Sequence, residues 1–110
     1  MLDAKRVLIV DDSSTIRLYL RAVLTQGGAI TQEATCGEEA LQIVRSNPAY
    51  DLILLDLILP DLDGIEVLHQ LRTIDESTAV VVLTGMGGIK SATAAVREGA
   101  DGYMEKRDLA

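Results

Sequence analysis

Five side chains capable of chemistry stand where short runs of this 110-residue chain stop. Asp11 and Asp12 follow Val7-Leu8-Ile9-Val10, Asp56 follows Leu52-Ile53-Leu54-Leu55, Thr84 follows Val80-Val81-Val82-Leu83, and Lys106 follows Gly102-Tyr103-Met104-Glu105. If these runs are parallel strands, the residues after them share one rim, because sites in open α/β sheets lie beyond the carboxyl ends of the strands. Carboxylates gathered there repel one another and titrate as a coupled set unless a cation sits among them. Mg²⁺ suits such a set, since it takes hard oxygen ligands, few of them from protein, and keeps positions for water and phosphate. With a divalent ion present, a carboxylate can act as nucleophile toward a phosphoryl group and form an aspartyl phosphate. The Lys106 ammonium would then neutralise phosphoryl oxygens, and the Thr84 hydroxyl would donate a hydrogen bond to one of them. Each residue alone has an ordinary reading: Asp12 as a helix first turn, Asp56 as a polar strand terminus, Lys106 as a solvated lysine. Their joint position at four strand ends favours the chemical one.

The elements that must position these groups alternate. Runs at Lys5 to Val10, Ala29 to Ala34, Leu52 to Leu55, Ala79 to Leu83 and Gly102 to Glu105 read as strands, three of them continuously apolar as in a sheet covered on both faces. The mixed run Ala29 to Ala34 reads as an edge strand. Helical spacing lies between them. Ile16, Leu20, Val23 and Leu24 form one face after Ser13 or Ser14; Ala40, Leu41 and Val44 follow a capping box in Thr35-Cys36-Gly37-Glu38 and precede Asn47-Pro48. Val67, Leu68, Leu71 and Ile74 mark a helix after Asp63-Gly64, and Ile89, Ala92, Ala95 and Val96 one that ends at Gly99. The alternation predicts βαβ units with right-handed crossovers, helices on both faces, and one domain over residues 1–110. After the fifth strand only Lys106-Arg107-Asp108-Leu109-Ala110 remain, so no closing helix is expected.

Composition narrows the function classes. Seventeen acidic against ten basic residues give a net charge of −7, which disfavours nucleic acid and anionic lipid and favours a cation or a basic surface. Three tyrosines and no other aromatic residue leave no base-stacking platform. The single cysteine, Cys36, fits a reducing compartment, so a cytoplasmic location is expected, and the four-residue apolar run near the N-terminus is no membrane span. His69 lies off the apolar stripe of its helix and reads as solvated, Cys36 as a small filler, and Gly85-Met86-Gly87-Gly88 as a mobile loop beside the site.

These residues and spacings resemble the response regulator receiver domains of two-component signalling. The likeness runs from Lys5 to Lys106 and rests on four segments. They are the acidic pair before Ser13, Asp56-Leu57-Ile58-Leu59-Pro60-Asp61-Leu62-Asp63-Gly64, Val82-Leu83-Thr84-Gly85, and Gly99-Ala100-Asp101-Gly102-Tyr103-Met104-Glu105-Lys106. The resemblance implies a flavodoxin-like, doubly wound, five-stranded parallel sheet in the order 2-1-3-4-5. It further implies that Asp56 is the phosphoacceptor, that Asp11, Asp12, Asp56 and the Ile58 backbone carbonyl hold Mg²⁺, and that Thr84 and Tyr103 move together as a switch while Lys106 pairs with the phosphate. The implied partners are a histidine kinase or histidine phosphotransfer protein and an output partner or effector domain, with no nucleic acid or membrane contact by this domain. Such a domain is a signalling switch that catalyses only its own phosphorylation and dephosphorylation.

Two departures carry expectations. Arg107 stands where the family usually has a proline after a cis peptide, and a non-proline cis bond costs about 3 kcal/mol, so a trans bond is expected. The family's fifth helix is missing from this chain, so either the chain is a fragment of a longer one or the bare face beside the first helix is covered by another subunit, and the second option predicts self-association. The resemblance implies that Ile58 and Met86 stand at positions flanking the acceptor, and their apolar side chains predict a phosphoryl group shielded from water. The alternatives are a pseudo-receiver acting as an interaction or dimerisation module without phosphorylation, a haloacid dehalogenase-type phosphatase, and a dinucleotide-binding domain. The second wants a DxD motif after the first strand, and the third wants glycines where Asp11 and Asp12 stand.

Overall fold

The computed structural model describes residues 2–47, 49–85 and 89–109. Five parallel strands, β1 (Arg6–Val10), β2 (Ile30–Ala34), β3 (Leu52–Asp56), β4 (Ala79–Thr84) and β5 (Gly102–Glu105), form one sheet in the order β2-β1-β3-β4-β5. Helices α1 (Ser14–Gln26), α2 (Gly37–Ser46), α3 (Gly64–Ile74) and α4 (Ile89–Arg97) alternate with them, and a 3-10 turn at Lys106–Leu109 follows β5. This is the flavodoxin-like α/β fold expected, with the mixed strand at an edge. No described helix is long and apolar enough to cross a membrane.

Pleating sends alternate strand residues to opposite faces. Leu8, Val10, Ile53, Leu55, Val80 and Val82 join one core with Leu41 and Val44 of α2 and Val67, Leu68 and Leu71 of α3. Val7, Ile9, Leu54 and Leu83 join the other with Leu20 of α1 and Leu109 of the final turn. The short segment after β5 therefore contributes to the second core, which the sequence pattern did not indicate. Two stripe residues fall outside the packing: Val23 and Val96 are each 49% exposed. α4 is held by the small side chains of Ala92 and Ala95, and Val96, a further 100° around the helix, lies past that narrow ridge.

Caps set where the helices begin. Ser13 opens α1, its Oγ accepting the Ile16 amide at 3.3 Å. Asp63 opens α3 by accepting the Ile65 amide at 2.8 Å. For α2 the capping box is displaced: Glu39, not Glu38, reaches back to the Thr35 amide at 2.6 Å. The amides of Gly37 and Glu38 donate instead to Asp61, at 2.8 and 2.9 Å, from the loop after β3. These amides, that of Glu38 first, hold the Asp61 carboxyl below the usual carboxylate range. Gly99, at φ +112°, takes the left-handed conformation that ends α4. No described peptide bond is cis, that between Lys106 and Arg107 included, as expected. Of the loop Gly85 to Gly88, Met86, Gly87 and Gly88 lie outside the described residues, as does Pro48.

Asp75, at the end of α3, accepts the Thr78 hydroxyl at 2.6 Å and the Ser77 hydroxyl and amide at 2.7 and 2.8 Å. The Thr78 and Ser77 hydroxyls, with backbone help, bring its pKa from 3.8 to about 2. A carboxyl whose folded pKa is depressed stabilises the fold above its unfolded pKa and loses that contribution as pH falls through the folded one. Asp75→Ala is therefore expected to unfold at lower urea than the native chain at neutral pH, by at most about 1 kcal/mol because the group is solvent-screened. The difference should close between about pH 4 and pH 2, and urea titrations at several pH values check it.

Candidate functional site

β1, β3, β4 and β5 are neighbours running the same way, so their carboxyl ends meet on one rim. Asp11 follows β1 and is fully buried; Asp12 beside it is exposed. Asp56 ends β3 and Thr84 ends β4, each 3% exposed. Lys106 opens the turn after β5 and reaches across the rim. Its Nζ lies 2.9 Å from Asp11 Oδ2 and 3.0 Å from Asp56 Oδ2, so one ammonium serves two carboxylates. The other oxygens are held by backbone: Asp11 Oδ1 accepts the Ser13 amide at 2.8 Å, and Asp56 Oδ1 accepts the Ile58 amide at 3.1 Å.

The loop carrying Asp56 and Ile58 is tightly turned. The Leu57 amide donates to the Leu83 carbonyl at 3.2 Å and the Gly64 amide to the Leu57 carbonyl at 3.0 Å, while Ile58 and Asp63 form an antiparallel bridge. Ile58 is 77% exposed. Asp61 ties the same loop to α2.

Burial, reinforced by the neighbouring Asp11 charge, pushes the Asp56 carboxyl up against the opposing pull of the Ile58 amide and Lys106. For Lys106, burial acts to lower the pKa, but the bonds to Asp11 and Asp56 outweigh it and hold the ammonium above its ordinary value.

One oxygen each from Asp11, Asp12 and Asp56 lie within 4.8 Å of one another. Asp11 Oδ2 is buried and faces the Lys106 ammonium at 2.9 Å. An all-oxygen donor set, closed on the Asp11 side and open at Asp12, fits a hard divalent cation such as Mg²⁺.

Thr84 Oγ1 donates across the strand pair to the Met104 carbonyl at 3.4 Å, and Tyr103 is half exposed. His69 is solvated, 3.7 Å from Glu98 in the turn after α4, and Cys36 is half-buried at the start of α2. Two residues not singled out from the sequence also reach the rim: Arg17 donates to the Asp11 carbonyl at 2.7 Å and, at 3.1 Å, to Glu33 on β2. Glu33 stands in the mixed edge strand and Arg17 beside the apolar Ile16, and neither position alone signals the bond between them.

The family model for response regulator receiver domains matches residues 7–109. The chain is 36% identical over 103 residues to the chemotaxis protein CheY of Halobacterium salinarum, covering 94% of this chain and 85% of that one. It is 37% identical over 101 residues to the response regulator MprA of a Mycobacterium species, covering 92% of this chain and 44% of MprA, so it spans less than half of that relative. A Burkholderia pseudomallei response regulator, solved with a phosphorylated aspartic acid, a calcium ion and citrate, superposes with a TM-score of 0.85 at 29% identity, over 93% of this chain and 59% of that one.

Proposed function

This chain belongs to the response regulator receiver domain family, and from that premise we propose that it is a phosphoaccepting switch in which Asp56 takes a phosphoryl group from a phosphohistidine of a kinase or phosphotransfer protein. The observation that carries the reading is the one ammonium, Lys106, set between two buried carboxylates beside a third.

In this reading a carboxylate oxygen of Asp56 attacks phosphorus, the phosphorus–nitrogen bond to the donor imidazole breaks, and the imidazole leaves with its electron pair and takes up a proton. Lys106 stays with the phosphoryl oxygens, and Thr84 gives up its bond to Met104 to donate to one of them. Tyr103 turns inward as Thr84 moves. Asp11, Asp12, Asp56 and the Ile58 carbonyl would hold Mg²⁺, which when bound supplies positive charge to the phosphoryl oxygens. Phosphorylation then shifts an existing conformational equilibrium toward a form read by an output partner. The presence of the whole set at one rim favours this over a pseudo-receiver.

Residues 7–109 are read as one such domain, working in the cytoplasm. The expected self-association would rest on α1, where Leu18 and Val23 are 57% and 49% exposed. Incubation with a phosphorylated histidine phosphotransfer domain tests the partner. Label should leave the donor histidine, appear on this chain, and stay on the donor when Mg²⁺ is chelated. Retention on the donor with Mg²⁺ present would contradict the reading.

Ile58, exposed two residues beyond the acceptor, is expected to slow the approach of water to phosphorylated Asp56. Ile58→Asn should therefore lose its phosphoryl group faster than the native chain, about tenfold if one oriented water is admitted. Decay after removal of the donor measures this, and an unchanged or slower loss would remove the shielding role.

A further inference from the structure

Arg17 is a like charge beside any cation bound at the rim. Its side chain is 15% exposed, and its Nη1 donates to the carbonyl of Asp11, a residue of the carboxylate cluster. A guanidinium here repels a bound cation, so attraction to the ion does not explain its position. Its geometry does. Nε donates to Glu33 Oε1 at 3.1 Å, and Arg21 takes Glu33 Oε2 at 3.0 Å, so Glu33 is held from both sides and holds Arg17 in turn.

The backbone of Asp11 is thereby tied to β2 at both ends. Its amide donates directly to the Ala34 carbonyl at 3.1 Å, and its carbonyl is fastened through Arg17 to Glu33, the residue before Ala34. The peptide between Asp11 and Asp12 is the joint between the buried and the exposed carboxylate. A planar fork with both ends bonded stops that peptide from rotating, whereas a flexible ammonium would not.

We infer that Arg17, braced by Glu33, is a positioning residue that fixes the Asp11–Asp12 peptide and so sets the spacing of the two carboxylates for a divalent cation. The inference rests on the metal reading of the rim. Groups behind metal ligands typically change metal affinity 10- to 100-fold when removed.

The sign of the effect separates positioning from charge. Calorimetric titration with Mg²⁺ of the native chain, Arg17→Met and Arg17→Lys is expected to show both variants binding about tenfold more weakly. Arg17→Lys keeps the charge and loses the fork. If Arg17 acted by charge alone, Arg17→Met would bind more tightly, and if it served only stability, melting in chelator would drop while the affinity of the folded chain stayed the same. Either result overturns the inference. Should Arg17→Met not fold, Glu33→Gln in high salt replaces it, with weaker binding expected and unchanged affinity overturning the proposal. Absence of Mg²⁺ binding by the native chain would overturn the metal reading together with it; binding equal in native and variants would overturn the clamp alone.

Discussion

Lys106→Met is expected to slow phosphoryl uptake by on the order of 10²–10³-fold and, in the opposite sense, to tighten Mg²⁺ binding. The two effects have one origin. The ammonium sits 2.9 Å from Asp11 Oδ2 and 3.0 Å from Asp56 Oδ2, in the place where positive charge on phosphoryl oxygens is needed and on oxygens a cation would use. Methionine keeps most of the apolar stem and removes the charge. Loss of a preorganised donor at a developing negative charge costs roughly 3–4 kcal/mol of barrier. The same change removes a like charge from the cation site, where two unit charges about 4 Å apart interact by about 4 kcal/mol at an effective dielectric of 20. Phosphorylation rates with acetyl phosphate and Mg²⁺ titrations read the two effects separately. An unchanged rate, or weaker Mg²⁺ binding, would show that Lys106 does not sit in the reacting centre.

The second large effect is on the fold beneath the site. A Cβ added at Gly64 would lie 2.4 Å from Leu57 Cα, 2.6 Å from its carbonyl oxygen and 2.7 Å from its carbonyl carbon. These are backbone atoms of the residue after the acceptor, and no rotamer change relieves them. Leu57 is further pinned by the hydrogen bond its amide donates to the Leu83 carbonyl, and Gly64 by the one its amide donates to the Leu57 carbonyl. Gly64→Ala is therefore expected to destabilise by about 3 kcal/mol, the upper part of the overpacking range. For a domain of this size that lowers the melting temperature by roughly 10–20 °C. Gly102→Ala, where an added methyl meets nothing within 4 Å, is the control and should melt close to the native chain. Thermal unfolding of both checks this; a Gly64→Ala melting point within about 2 °C of native would mean the loop yields.

The sheet and the rim were legible because they depend on local pattern. Continuous apolar runs of four residues bounded by polar ones are too short for buried helices and fit strands covered on both faces, and the residues at the ends of such strands in a parallel sheet stand at the same edge. Asp11, Asp56 and Thr84 needed no more than that, whereas the run before Lys106 is not continuously apolar and needed the alternation of elements as well. What escaped depends on partners far apart in sequence. Asp61 caps α2 across more than twenty residues, which no capping pattern within the helix encodes. The Arg17–Glu33 bond joins a helix to an edge strand, and each residue alone reads as surface charge. Val96 follows the helical period yet stays half exposed, because period locates a face and not the width of the surface it meets. Thr84 was located correctly, while its bond to Met104 depends on how β4 and β5 lie side by side.

Intact mass after incubation with acetyl phosphate and Mg²⁺ is the most direct test of the central claim. The native chain should gain the mass of a single phosphoryl group, and neither Asp56→Asn nor the native chain in chelator should gain any. An unmodified native chain shown to be folded, or an equal gain by folded Asp56→Asn, would contradict Asp56 as the phosphoacceptor.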